Sequence, residues 1–392
     1  MTARCLRRPP EARRYRSPAF MRLLCVSNGP LPYHTPILNR VAELADLRVV
    51  YMSKGHPLNS FSDLWGVEPA FEHSFYSSVS LTLPAADFRT QISVGASRLV
   101  AQHDPDVVFF SSWGPLTWEP VVWAKFARRG TLMWAESTAT SGLARGHVSN
   151  AIRRAVTGLV DSFVTNGSLA TAYLRELGVS DERIVTSRLP SYLPVTSSRS
   201  GTSPAPAYLF VGRLIPLKRP GDGLAAFRQV AAHLPEATLT FVGDGPLEQE
   251  LRELAQGLGS AVSFSGRLEG RELTDAYSAA DVLVLPAERE VWGLVVNEAL
   301  ASGLYVVATE RVGSAHDLLS KSSGEVVPVG DVAALSAALI RAADADLSAE
   351  ARTLRAQTVA HVTPAAFGDD LVRAAEIAYE ASSRRQPEPE SP

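Results

Sequence analysis

The amino-acid sequence predicts an α/β protein built from two successive doubly wound, parallel-sheet domains. Three observations carry that expectation. The chain has 392 residues, too many for one ordinary core and enough for two. From Arg22 onward, short β-branched runs alternate with helical patterns, the signature of βαβ units. At Leu189–Ala207, LPSYLPVTSSRSGTSPAPA, the alternation stops in a stretch rich in Pro, Ser and Thr, which reads as an interdomain linker.

Residues 1–20 precede the pattern. They hold Arg4, Arg7, Arg8, Arg13, Arg14 and Arg16 against Glu11 alone and lack an apolar segment. They read as a disordered basic extension rather than a secretory signal, with contact to anionic lipid as the alternative. The first domain, 21–188, has strands expected at Arg22–Ser27, Arg48–Met52, Val107–Ser111, Thr131–Ala135, Ser162–Thr165 and Ile184–Ser187. Its amphipathic helices are expected at Pro36–Ala45, Glu119–Arg129 and Ser168–Leu177, the last stopped by Gly178. The linker is 189–207. In the second domain, 208–364, strands are expected at Tyr208–Val211, Thr238–Val242, Val262–Ser265, Asp281–Leu285, Tyr305–Ala308 and Glu325–Val327. Helices fall at Asp222–Leu234, Pro246–Gly257, Glu272–Ala279, Val295–Ala301 and Val332–Ala343. A terminal helix, 365–384, is expected to return to the first domain, ahead of a disordered Pro/Glu tail, 385–392.

Composition narrows the function classes. Hydrophobic residues at 46% and charged residues at 20% are ordinary for a globular enzyme, and a net charge of -3 supplies no global basic field for nucleic acid. Cys5 lies in the polar tail and Cys25 in an apolar run, so no disulfide is expected and a reducing cytoplasm fits. No segment approaches the ~20 apolar residues of a membrane span.

Four segments of the second half carry the chemistry. FVGRLIPLKRP places Gly212, Arg213 and Lys218 just past a strand, where a fork-shaped and a point-like cation suit a diphosphate. A solvated loop is the alternative. FVGDGP offers Gly243 and Gly245 for a tight turn, with Pro246 placed to begin a helix. It is no dinucleotide fingerprint, because Glu248 stands where the third glycine belongs. In FSGRLEGREL, Arg267 and Leu268 fall where a base can lie against the backbone, though a plain connection reads equally well. In EREVWGLVVNEALASG, Glu290 and Glu298 flank Trp292, Gly293 and Leu294 at a helix start. Unpaired amides there favour a phosphate. One acid before the helix and one in its first turn can accept hydrogen bonds from sugar hydroxyls.

The set GRLIPLKRP, VGDGP and EVWGLVVNEALASG resembles glycosyltransferase family 4, closely over 208–330 and loosely in the first half. The resemblance implies the GT-B fold, a nucleotide-sugar donor such as a UDP- or GDP-sugar, no metal or other cofactor, and retention of anomeric configuration. It implies that Arg213 and Lys218 hold the diphosphate, Glu290 contacts the donor sugar and Glu298 the ribose. By the same likeness Val291–Leu294 approaches sugar and phosphate, and Asn28–Gly29 nears the diphosphate from the first domain. Many relatives place a His after the strand Thr131–Ala135, where this chain has Glu136. That carboxylate is a candidate to orient an acceptor hydroxyl or take its proton; a helix N-cap environment from Ser137 or Thr138 is the alternative.

His34 is expected in a surface or capping role, with reach into the cleft as the alternative, and Trp113, Trp118 and Trp123 in core packing, with stacking on a sugar as the alternative. Asp104–Pro105–Asp106 and Asp344–Ala345–Asp346 read as turns, not as metal-holding D-x-D sites. Asn150–Val160 reads as an ordinary surface helix, with a membrane-resting helix as the alternative. The expected acceptor is a glycan, a lipid-linked sugar or a small molecule, met in the cytoplasm or at the inner face of a membrane. A nucleotide-sugar epimerase and a non-catalytic nucleotide-sugar-binding protein are the rival functions.

Overall fold

The computed structural model describes residues 21–27, 29–31, 33–52, 67–76, 79–83, 88–92, 96–110, 118–139, 147–191, 193 and 205–385. The first domain runs β1 (Arg22–Ser27), α1 (His34–Leu44), β2 (Asp46–Tyr51), β3 (Glu72–Phe75), a hairpin of β4 (Val79–Leu83) and β5 (Phe88–Ile92), then α2 (Ala96–His103) and β6 (Val107–Phe110). It continues with α3 (Trp118–Phe126), β7 (Gly130–Ala135), α4 (His147–Leu159), β8 (Ser162–Asn166), α5 (Ser168–Glu176) and β9 (Ile184–Ser187). Its sheet is parallel throughout, in the order β3-β2-β1-β6-β7-β8-β9, with the antiparallel hairpin apart.

The second domain comprises β10 (Ala207–Val211), α6 (Pro220–His233), β11 (Thr238–Val242), α7 (Glu248–Ala255), β12 (Val262–Gly266), α8 (Gly270–Ala279), β13 (Val282–Leu285), α9 (Leu294–Ala301) and β14 (Tyr305–Thr309). Then come α10 (Gly313–Leu318), β15 (Gly324–Val327), α11 (Val332–Ala343), α12 (Ala349–Val359) and α13 (Pro364–Ser383). The six-stranded sheet has the order β12-β11-β10-β13-β14-β15, again parallel.

Both sheets are covered on two faces, which is why their central strands read as continuous apolar runs. VVFF of β6 and VLVL of β13 are buried at every position. Along β1, Leu23 and Cys25 face a core that runs on through α1 and α13, whereas Leu24 and Val26 face the opposite helix layer. The helix α13 crosses back to the first domain, packing against α1, β7 and β8. Phe367 there stacks near Trp134, with ring centroids 4.7 Å apart, and the Ser162 hydroxyl donates to the Ala374 carbonyl at 2.6 Å.

Several local expectations need correction. α7 begins at Glu248, so Pro246 sits in the preceding turn and is not the first helical residue. Pattern reading missed β3, whose four side chains are all exposed and show no alternation. It also missed α12, which buries two arginines, Arg352 and Arg355, where an apolar stripe is sought. His34 is buried at the start of α1, against the expected surface or capping role. Residues 1–20, most of the linker, Asn28, Trp113 and 386–392 lie outside the described residues.

Candidate active site

Each sheet reverses its order once beside its first strand, between β1 and β6 and between β10 and β13. Open α/β sheets bind ligands outside the carboxyl ends of strands at such switch points. Gly29 follows β1, Gly212 and Arg213 follow β10, and Glu290 lies on the segment after β13. The Gly29 carbonyl accepts the Ser27 hydroxyl at 3.2 Å.

The loop after β10 is braced from behind by the loop after β11. Leu214 N–H donates to Asp244 O at 2.7 Å, and Leu247 N–H donates to Leu214 O at 3.1 Å. This approach is so close that a Cβ on Gly243, at φ +132°, would stand 2.0 Å from Gly212 O. Gly243 and Gly245 thus support the diphosphate-loop candidate by letting two backbones meet. Glu288 N–H donates to Leu217 O at 3.0 Å, fastening the loop after β13 to the same segment.

These braces converge Lys218 on Glu290. The Lys218 ammonium lies against the Glu290 carboxylate, and each side chain is about four-fifths covered. Burial first, and then the nearby charge of Arg213, pushes Lys218 down to about 8. Arg213 itself is exposed.

The Val291–Leu294 segment is held by α10. Ser314 Oγ donates to the carbonyls of Trp292 and Gly293, at 2.7 and 3.0 Å, and Gly313 N–H donates to Glu290 O at 3.2 Å. Gly293 caps the start of α9 with φ 96°, so the first amides of α9 open beside the Lys218–Glu290 pair. Glu298 departs from expectation. It lies in the second turn of α9, is buried, and accepts Tyr277 Oη at 2.6 Å and Ser191 Oγ at 3.1 Å. Burial raises its pKa, opposed by those two hydrogen bonds. Arg267 is exposed and paired with Glu269 at 2.7 Å, while Leu268 packs on the central core.

On the first domain, Glu136 follows β7 with about a third of its side chain exposed. No helix starts at Ser137 or Thr138, so the capping alternative does not describe this segment. Asn166 Nδ2 donates to Glu136 Oε1 at 3.4 Å, and Trp134 Nε1 donates to Asn166 Oδ1 at 2.7 Å. His34 stacks on Trp134 at 4.2 Å, with its buried Nε2 3.7 Å from Glu136 Oε1 and without a hydrogen-bond partner among the described residues. Sequence reading named His34 and Glu136 separately and did not couple them. Trp123 is half-buried against the core.

The two domains touch through their carboxyl edges. Asp317 of α10 accepts from both the amide and the hydroxyl of Ser168, at 2.9 and 3.0 Å, capping α5 from the other domain. Beside it, a Cβ on Gly167, at φ +90°, would stand 2.4 Å from the Trp292 ring. Trp292 Nε1 donates to Asn297 Oδ1 at 2.9 Å, and Asn297 Nδ2 donates to Leu189 O at 3.1 Å. Sequence reading missed Gly167, Ser168 and Asp317, which have no motif of their own, and Asn297, which stands inside EVWGLVVNEALASG beside Glu298. The D-x-D segments are structural: Asp104 and Asp106 pair with Arg22 and Arg129, and Asp346 accepts the Ser348 amide.

Two doubly wound domains whose switch-point edges meet across a cleft define the GT-B architecture of nucleotide-sugar-dependent glycosyltransferases. The comparisons agree. Residues 205–345 match the family model of group 1 glycosyl transferases. The chain is similar to sulfoquinovosyl transferase SQD2 of Arabidopsis thaliana, 39% identical over 137 residues, which are 34% of this chain and 26% of that protein. It is also similar to the GDP-mannose-dependent alpha-(1-6)-phosphatidylinositol monomannoside mannosyltransferase of Mycobacterium tuberculosis H37Rv, 26% identical over 343 residues, covering 78% of this chain and 85% of that one. Anabaena HepE, solved with UDP, shares the fold with a TM-score of 0.64 at 17% identity, covering 93% of this chain and 99% of its own. The match to SQD2 thus spans about a quarter of that relative. The C-terminal domain is a group 1 glycosyltransferase domain.

Proposed function

We propose that the protein transfers a sugar from a nucleotide diphosphate to a hydroxyl of a glycan or lipid acceptor, with retention of anomeric configuration. The observation that carries this reading is the convergence of Lys218 and Glu290 at the β10/β13 switch point, beside the open start of α9. Such a site answers the charge of the step. Breaking the anomeric C–O bond leaves negative charge on the diphosphate, and a preorganised donor aimed there is worth ~3–4 kcal/mol.

In this reading Lys218 and Arg213 take the diphosphate and the α9 amides take the distal phosphate. Glu290, released from Lys218 by the incoming phosphate, accepts from hydroxyls of the donor sugar. A ribose hydroxyl replaces Ser191 on Glu298. Glu136, held by Asn166 and set beside His34, orients the acceptor hydroxyl from the opposite side. No step calls on a metal ion or other cofactor. The UDP held by HepE and the GDP-mannose and phosphatidylinositol in the mannosyltransferase's name support this class of donor and acceptor. The likeness throughout is to transferases and favours neither an epimerase nor a binding protein.

The test is a thermal-shift screen of UDP, GDP and their sugars, followed by product analysis with the donor that binds. Binding should raise stability by mass action, Lys218→Ala should lower kcat by ~100-fold, and Glu298→Ala should chiefly raise the donor KM. Wild-type turnover in both variants would refute the assignment, and epimerised donor without transfer would replace it.

A further inference from the structure

The helix layer of the first domain that carries α3 and α4 has an outer surface unlike the rest of the molecule. Among the described residues, nine large apolar side chains are exposed, and four of them, Val122, Phe126, Ile152 and Leu159, belong to these two helices. Phe126 is 86% exposed, more than any of the others. The helices lie side by side, because α3 joins β6 to β7 and α4 joins β7 to β8 across neighbouring strands. Val122 and Phe126 stand one above the other at i and i+4, and Ile152 and Leu159 fall on one ridge at i and i+7. The inner sides are satisfied separately: Val121 and Ala124 of α3, and Val160 just past α4, lie in the core.

The charge of this surface is as uneven as its hydrophobicity. From Trp118 to Arg129, and through α4, the only acid is Glu119, against Lys125, Arg128, Arg129, Arg153 and Arg154. Three of the five cations are engaged inward: Lys125 by Asp161 at 2.5 Å, Arg129 by Asp104, and Arg153 by the hydroxyl and ring of Tyr173. Arg128 and Arg154 are exposed and form no ion pair among the described residues. The chain as a whole is net negative, so this is a local basic rim around an apolar centre.

We infer that the outer face of α3 and α4 is a docking surface for an anionic membrane. Exposed Phe and Ile at the centre with Arg at the edge match the apolar interior and negative headgroups of such a surface. A second copy of the chain fits less well, because this surface offers only Glu119 as an acid to answer Arg128 and Arg154 of a partner copy. Phe126 and Leu159 end helices that lead into the amino ends of β7 and β8. The patch therefore lies toward the edge away from the cleft and leaves the catalytic candidates open. The inference stands apart from the donor and acceptor assignments.

The experiment is co-sedimentation of the full chain with vesicles of phosphatidylglycerol and phosphatidylcholine, and of phosphatidylcholine alone. Wild type should partition to the anionic vesicles and be released by raised salt. Phe126→Ser combined with Ile152→Ser, and separately Arg128→Glu combined with Arg154→Glu, should each weaken that partition by about tenfold or more. The arginine variant should keep the wild-type thermal midpoint and the Phe126→Ser, Ile152→Ser variant should lose only a few degrees, since Phe126 is 86% and Ile152 45% exposed. Failure of wild type to bind, equal binding to the uncharged vesicles, or undiminished binding by both variants would overturn the inference, the last pointing to the basic residues of 1–20. A concentration-dependent dimer abolished by Phe126→Ser would replace it with self-association.

Discussion

Lys218 provides the sharpest test of how the site holds a diphosphate, because its charge should be lost within an accessible pH range. Burial and Arg213 bring the ammonium to about 8 in the unliganded protein. Its protonated form is the one that attracts phosphate, so affinity should be retained below pH 8 and decline as pH rises through it. With that value, about nine-tenths of the molecules carry the charge at pH 7 and about a tenth at pH 9. A nucleoside diphosphate, whose last phosphate proton is mostly lost by pH 7, should therefore bind close to tenfold more weakly at pH 9, a difference of ~1.4 kcal/mol. Calorimetric titration of UDP and GDP at several pH values measures this directly. Lys218→Gln should bind weakly at every pH, with the decline removed. Glu290→Gln takes away the anion that steadies the ammonium, so its decline should begin at lower pH. An unchanged profile in Lys218→Gln, or flat wild-type binding between pH 7 and 9, would refute the reasoning.

Three further outcomes follow from the packing. Gly243→Ala places a methyl 2.0 Å from Gly212 O at a backbone angle that disfavours it. It should cost about 1–3 kcal/mol of stability and weaken nucleotide affinity as well, by displacing the loop of Arg213 and Lys218; unaltered melting and binding would contradict the bracing role. Arg352→Ala strips the carbonyls of Ala280 and Ser302 and the carboxylate of Asp281 of a buried guanidinium. The expected loss is about 3–5 kcal/mol, visible as a fall in thermal midpoint on the order of 10 °C, and a shift near zero counts against it. Asp317→Ala removes the cap that one domain places on α5 of the other, worth ~1 kcal/mol; small-angle scattering should register a more open molecule, and an identical profile would show that the clasp does not set the domain arrangement.

How much was legible beforehand depended on whether a feature was written locally. The strands were readable because two-sided burial demands runs such as VVFF and VLVL, and helix ends were readable from Gly178 and the turn glycines. The order of elements and the motif residues of the second domain placed Lys218 and Glu290 after the right strands. By contrast β3 has no buried face to impose a pattern, and α12 hides its role by burying arginines. Glu298 was assigned to a first turn because its sequence position does not reveal where α9 begins, which Gly293 decides.

The sequence by itself determined two doubly wound domains, the segments that meet at their switch points and the residue types suited to a diphosphate, since each follows from local periodicity and turn chemistry. Only the tertiary structure decided which of those groups touch. The contact of Lys218 with Glu290, the stacking that sets His34 beside Glu136, and the capping of Ser168 by Asp317 across 149 residues all depend on how distant elements dock. Docking is settled by burial and shape summed over whole faces, and no short stretch of chain carries that sum.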